Sequence, residues 1–288
     1  MVRVKPKEQK ILQQAQQFLS HNNASASKDI LLKFARNNKA SEYTIYYLSL
    51  SHALLGELNE ALSPAVALVK KHANNIEFLK LLGGIYHGLQ QYDQAIKIFS
   101  RALKINNNDF QLLSNIANSL KETHQYEEAE SFYIKSLSIQ ANQPDALTNY
   151  GLLKQVNAKV DEAIELHKKA LQLSPEHINA QYNLAYAYNE KGENELSRKI
   201  YSEVIDADPH HVRALCGIAH VLGKLKQPEK ALPFLQRAVK INPNDEHAHL
   251  NLGITHNMMG DQDLAEAEFK NVLRINPENQ VAKYYLAI

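Results

Sequence analysis

The sequence predicts an all-α protein built as a stack of antiparallel helix pairs. Three observations carry this expectation. The chain repeats itself every thirty-four residues, without insertion or deletion, from Glu8 to Asn279, and a fixed period of that size marks a stacked repeat array. Two positions of the period hold small residues in every copy. Proline recurs at a third position, after the second of two short amphipathic stretches.

With Ile178 as position 1, position 8 reads Ala15, Ser49, Gly83, Ala117, Gly151, Ala185, Ala219 and Gly253. Position 20 reads Ala61, Ala95, Ala129, Ala163, Ala231 and Ala265, with Ser27 and Ser197 completing it. Small residues at both positions let two helices cross closely, and large apolar residues at positions 7, 11 and 24 fill the space around the crossing. Position 32 is Pro175, Pro209, Pro243 and Pro277; proline does not continue a helix interior, so it closes the second helix.

In order, residues 1–7 read as a polar lead-in and the repeats as 8–41, 42–75, 76–109, 110–143, 144–177, 178–211, 212–245 and 246–279. The first repeat is the most divergent, with Gln13, Gln14, Gln16 and Gln17 where others are apolar. It is either a polar cap or a frayed end. Pro64 is expected early in its helix, near the first turn, where proline is tolerated better than farther inside. Gly56, Gly192 and Gly260 fall between paired helices, where positive φ is often required. Asn106, Asn107 and Asn108 replace the usual proline stop, and asparagine there suits a left-handed helix end. Residues 280–288 restart the period and are expected to begin a further helix, which is either the stub of a C-terminal cap or a helix cut short. An open apolar end of that kind suits association between copies through Tyr284, Tyr285 and Leu286.

Composition narrows the partners. Of 288 residues, 44% are hydrophobic and 22% charged, with a net charge of +1. That balance argues against nucleic acid or an anionic membrane as the main partner. No apolar run is long enough to span a bilayer. A single cysteine, Cys216, excludes an internal disulfide framework and points to a reducing, cytoplasmic setting.

The period and its small positions resemble the tetratricopeptide repeat. The resemblance implies a right-handed superhelical solenoid of about eight helix pairs, whose first helices line a concave groove with positions 2, 5, 6, 9, 12 and 13. Position 6 is Asn115, Asn149, Asn183 and Asn251; position 9 adds Asn118 and position 2 adds Asn179. Such a ladder of carboxamides is similar to that in the repeat region of O-linked N-acetylglucosamine transferase, and it suits the backbone of an extended peptide. Gly217 interrupts it. Tyr47, Tyr182 and Tyr186 share the groove positions as large amphipathic contact residues. The alternative for all nine is a solvated or core-packing face. The lysine and arginine that the family uses to clamp the acidic C-termini of chaperones are missing from the matching positions, so that ligand is not expected.

An enzyme reading finds too little to build on. Cys216 and His220 lie four apart on one face, near Arg213 and His247, yet a zinc site wants four ligands, or three and a water. A catalytic Cys–His pair also needs an orienting group and an oxyanion hole. No catalytic, cofactor or metal residues are assigned. The expected function is a protein-interaction scaffold binding an extended protein segment. The alternative is the substrate-recruiting arm of a methyl-, sulfo- or glycosyltransferase whose catalytic domain lies beyond Ile288.

Overall fold

The computed structural model describes residues 5–287. Among these residues there are seventeen α-helices and no strand. Helices α1 (Pro6–Ser20) and α2 (Ala24–Asn37) form the first pair, followed by α3 (Glu42–Leu54) with α4 (Leu58–Lys71) and α5 (Ile76–Gly88) with α6 (Tyr92–Ile105). Next come α7 (Phe110–Glu122) with α8 (Tyr126–Ile139), α9 (Pro144–Val156) with α10 (Val160–Leu173), and α11 (Ile178–Lys191) with α12 (Asn194–Ala207). The series ends with α13 (Val212–Lys224) and α14 (Pro228–Ile241), α15 (Glu246–Met259) and α16 (Gln262–Ile275), and the short α17 (Gln280–Tyr285). The chain divides into two compact bodies, α1–α8 up to Ala141 and α9–α17 from Asn142. Within each body every first helix packs on its own second helix, and first helices of neighbouring pairs also touch.

The close crossing expected at positions 8 and 20 is visible as hydrogen bonds between the paired helices. The Ser49 hydroxyl donates to the Ala61 carbonyl at 2.7 Å, and the Ser197 hydroxyl donates to the Ala185 carbonyl at 2.7 Å. Where position 8 is glycine, the ring at position 24 occupies the space a side chain would need. A Cβ on Gly253 would lie 2.7 Å from the Phe269 ring, and one on Gly151 would lie 2.5 Å from the His167 ring. These glycines serve a close approach; any larger residue overpacks the crossing.

Between the paired helices, position 15 is left-handed in every repeat. Gly56, Gly192 and Gly260 take it at φ of 76°, 87° and 87°, and Asn22, Gln90, His124, Ala158 and Lys226 take it at 55–60°. The expectation of a left-handed stop at Asn106–Asn108 is corrected: Asn106 caps α6 at φ −131°, in extended backbone. The residue capping each second helix has a negative φ, so nothing there asks for a positive one. Pro64 lies early in α4, in its second turn, and its missing N–H leaves the Glu60 carbonyl without its helical donor.

The first repeat is formed. Helix α1 begins at Pro6, inside the stretch read as a lead-in, of which residues 1–4 lie outside the described residues. Leu12, Ala15 and Leu31 form its core, with Tyr47 and Leu48 packed against them. Glu8 is buried, and its Oε1 accepts hydrogen bonds from Ser41 N at 2.8 Å and the Thr44 hydroxyl at 2.6 Å. Burial pushes its carboxyl pKa up, but the bonds from Thr44 and Ser41 outweigh that and hold it below the usual carboxylate value.

Candidate functional site

The residues placed on the first-helix face by register fall in both bodies and do not gather at one point. In the N-terminal body, Tyr47 packs on the α1–α2 core and its hydroxyl accepts a hydrogen bond from the Gln16 side chain. Asn115 and Asn118 line a small cavity of about 80 Å³ with His87 and Phe99. The Asn118 Oδ1 there is taken by the Tyr133 hydroxyl, at 2.5 Å.

In the C-terminal body, Tyr182, Tyr186 and Asn251 meet at a cavity of about 670 Å³ on α11, α13 and α15. Asn149 and Asn183 lie outside it, half-buried and buried respectively, and Asn179 is exposed. The cavity draws in residues that the register alone did not select. Tyr201 from α12 lines its floor beside Cys216 and Gly217, and Arg213, His220 and Lys224 reach it from α13.

Gly217 explains both the cavity and the interrupted asparagine series. In the sixth repeat position 8 is Ala185, which denies the position-24 ring the gap that glycine leaves elsewhere. The Tyr201 ring instead lies against Gly217 of the next repeat, where a Cβ would come within 2.5 Å of its Cζ. An asparagine at position 217 would collide with that ring. Position 24, which Tyr201 occupies, is expected only to fill space around the crossing; the pairing of alanine at 185 with glycine at 217 is the signal the sequence carries.

The electrostatics around the cavity are balanced. The Arg213 guanidinium sits 5.4 Å from the Tyr182 ring centroid, whose ring also stacks on His211 at 5.2 Å. Lys224 Nζ donates to Asn189 Oδ1 at 2.8 Å. On the acidic side, Glu190 Oε2 accepts from Gln155 Nε2 at 2.7 Å, and Asp245 Oδ1 caps α15 through Ala248 N at 2.8 Å. Burial, aided by the Asp245 charge, pushes the Cys216 thiol up to about 12. Burial pushes the Tyr201 phenol up, and the His220 imidazole down, the latter with help from Lys224. All three face the cavity in neutral form at pH 7, so Cys216 is a thiol rather than an activated nucleophile. Among the described residues no three His, Cys, Asp or Glu side chains are placed to hold a metal ion, and no described helix is long and apolar enough to cross a membrane.

The tetratricopeptide repeat family matches residues 86–150, 157–218, 212–245 and 246–279. The chain is a tetratricopeptide repeat protein. It therefore carries a protein-interaction scaffold of a family whose repeats are generally non-catalytic. No curated protein matches its sequence significantly. Solved structures share its fold at low identity. A chain of the APC/C hetero-tetramer Cut9–Hcn1 superposes with a TM-score of 0.76 at 15% identity, covering 96% of this chain and 54% of that one. This tetratricopeptide repeat protein thus spans about half the length of that relative. PilW, a type IV pilus biogenesis factor, gives a TM-score of 0.67 at 18% identity over 73% of this chain and 98% of its own. YrrB, a tetratricopeptide repeat protein, gives 0.51 at 20% identity over 66% and 98%.

Proposed function

We propose that the first-helix face of this repeat protein binds an extended segment of a partner protein. The observation that carries the reading is the cavity itself: Tyr182, Tyr186 and Asn251, assigned to that face by register, converge on it. The side chain of the half-buried Asn149 makes no hydrogen bond among the described residues, so its donor and acceptor are available to a peptide backbone, and the buried Asn183 lies at the same register position one repeat on. YrrB, which shares the fold, is described as having an unusual peptide-binding site, and this supports the same use of the scaffold here. The single cysteine supports a cytoplasmic setting.

The test is a peptide selected from a displayed library against the full chain. Asn149→Ala with Asn183→Ala should weaken its binding about tenfold or more, since each lost carboxamide leaves peptide backbone groups unpaired. Stability should hold, because alanine is the better helix former. The matched control is Glu266→Ala with Lys270→Ala, an exposed ion pair at 2.6 Å on α16. Equal binding by the two double variants would overturn the asparagine reading. The same groove would serve as a recruiting arm if a transferase domain is encoded past Ile288, which the gene's reading frame decides. Tyr284, 80% exposed beside a Tyr285 stacked on Phe269 at 4.6 Å, supports association between copies as a further role.

A further inference from the structure

We propose that the cavity on α11, α13 and α15 receives a tyrosine side chain of the bound segment, its ring against Tyr186 and its hydroxyl on that of Tyr201. This deepens the peptide-binding reading and rests on it. The floor supplies the main argument. Tyr201 is 1% exposed and lines the cavity, yet among the described residues its hydroxyl makes no hydrogen bond. That hydroxyl is reached from the cavity, so an occupant with a matching polar atom can take the place of the water that would otherwise solvate it. The equivalent phenol two repeats earlier, Tyr133, is satisfied internally by Asn118, so the vacancy is particular to this place.

The occupant is neutral. Arg213 and Lys224 are balanced around the cavity by Glu190 and Asp245, and Lys224 is already held by Asn189. A carboxylate reaching the floor would exchange its water for a thiol, a glycine and one phenol, a poor return for a charge. A tyrosine loses less and uses more. The Tyr186 ring is 41% exposed and has no aromatic partner among the described residues, so it offers a stacking face. A phenol both donates and accepts. Tyr201 donates to the incoming oxygen, and the Asn251 carboxamide, whose side chain is likewise without a hydrogen bond among the described residues, is in the same cavity to accept from it.

The full chain is titrated with N-acetyl-tyrosinamide, N-acetyl-phenylalaninamide and the α-amide of N-acetyl-aspartate, followed by NMR shifts or calorimetry. The tyrosine probe should bind about tenfold more tightly than the phenylalanine probe, the scale of one hydrogen bond. Tyr201→Phe, which keeps the ring, should erase that preference while leaving the phenylalanine probe unchanged. Tyr186→Ala should weaken both aromatic probes. Equal affinity for the two aromatic probes, a preference that survives Tyr201→Phe, tightest binding by the aspartate probe, or binding by none of the three would each overturn the proposal. Single-residue probes do not span Asn149 and Asn183, so the alanine pair that tests peptide binding leaves them unaffected and the two readings fail separately.

Discussion

The fourth and sixth repeats place a phenol at the same position and treat it in opposite ways. Tyr133 in α8 is fully buried and donates to Asn118 Oδ1 within its own helix pair. Tyr201 in α12 is equally buried, but the residue in the place of Asn118 is Tyr186, whose ring turns outward, and the Tyr201 hydroxyl opens on a cavity. The repeat fixes where the ring is rooted. Its neighbours at positions 8 and 9, and at position 6 of the following repeat, decide where it ends. Identical scaffolding thus gives a closed core in one place and a phenol open to a cavity in another.

The largest test of this view concerns the fifth repeat, where the same position holds His167. Its ring is fully buried over Gly151, Nε2 faces Gln155 Oε1 at 3.1 Å, and Nδ1 has no partner. Burial pushes its pKa down to about 4 from 6.5. Above 6.5 the imidazole is neutral whether folded or unfolded and stability does not depend on it. As pH falls from 6.5 towards 4 only the unfolded chain takes up the proton, so stability is lost across that window, on the order of 3 kcal/mol. His167→Phe, matching Phe99 and Phe269, should remove this loss. Urea midpoints at pH 7 and pH 4.5 for both proteins read it, and an equal acid loss in the variant would mean that this position does not bury its ring as described.

A smaller effect is expected at the cavity floor. Gly217→Asn restores the carboxamide series but meets the Tyr201 ring, costing about 1–3 kcal/mol. Combined with Tyr201→Leu, the residue type of Leu235 one repeat on, much of that cost should vanish. A coupling of about 1 kcal/mol or more in the double-mutant cycle is the signature; strict additivity would separate Gly217 from Tyr201.

The smallest effect tests the comparison most directly. Tyr133→Phe removes a made hydrogen bond and should cost about 1 kcal/mol. Tyr201→Phe removes a hydroxyl that bonds no described protein group and should be neutral or slightly stabilising. Denaturant melts of the two single variants suffice, and equal costs would show that Tyr201 has a partner after all.

Much of this was legible in the sequence. The period, the small residues at positions 8 and 20 and the paired helices follow from patterns that each residue displays alone. The left-handed elbows were legible only at Gly56, Gly192 and Gly260; Gln90, Ala158 and Lys226 adopt the same backbone and carry no mark of it. The site was legible in part. Tyr182, Tyr186 and Asn251 came from register, whereas Tyr201 and Gly217 did not, because one looks like core and the other like a gap. Their meaning lies in a contact between three residues of two repeats, Ala185, Tyr201 and Gly217, and no single position of the period records it.

One regularity at the helix starts bears on how such an array moves. From α3 onward every first helix except α9 opens with a side chain accepting from a backbone N–H: Ser41, Asn75, Asp109, His177, His211 and Asp245. The second helices α4, α6, α8, α10, α12, α14 and α16 have no such side-chain cap. A capped start resists fraying by about 1 kcal/mol, and local opening begins where such restraints are fewest. The two sets therefore differ in tempo: the second helices open more readily at their leading turns, while most first helices are pinned at theirs. A partner docking on the first helices, as proposed above, would meet a surface largely ordered before contact, and little of its binding would be spent on quieting the scaffold.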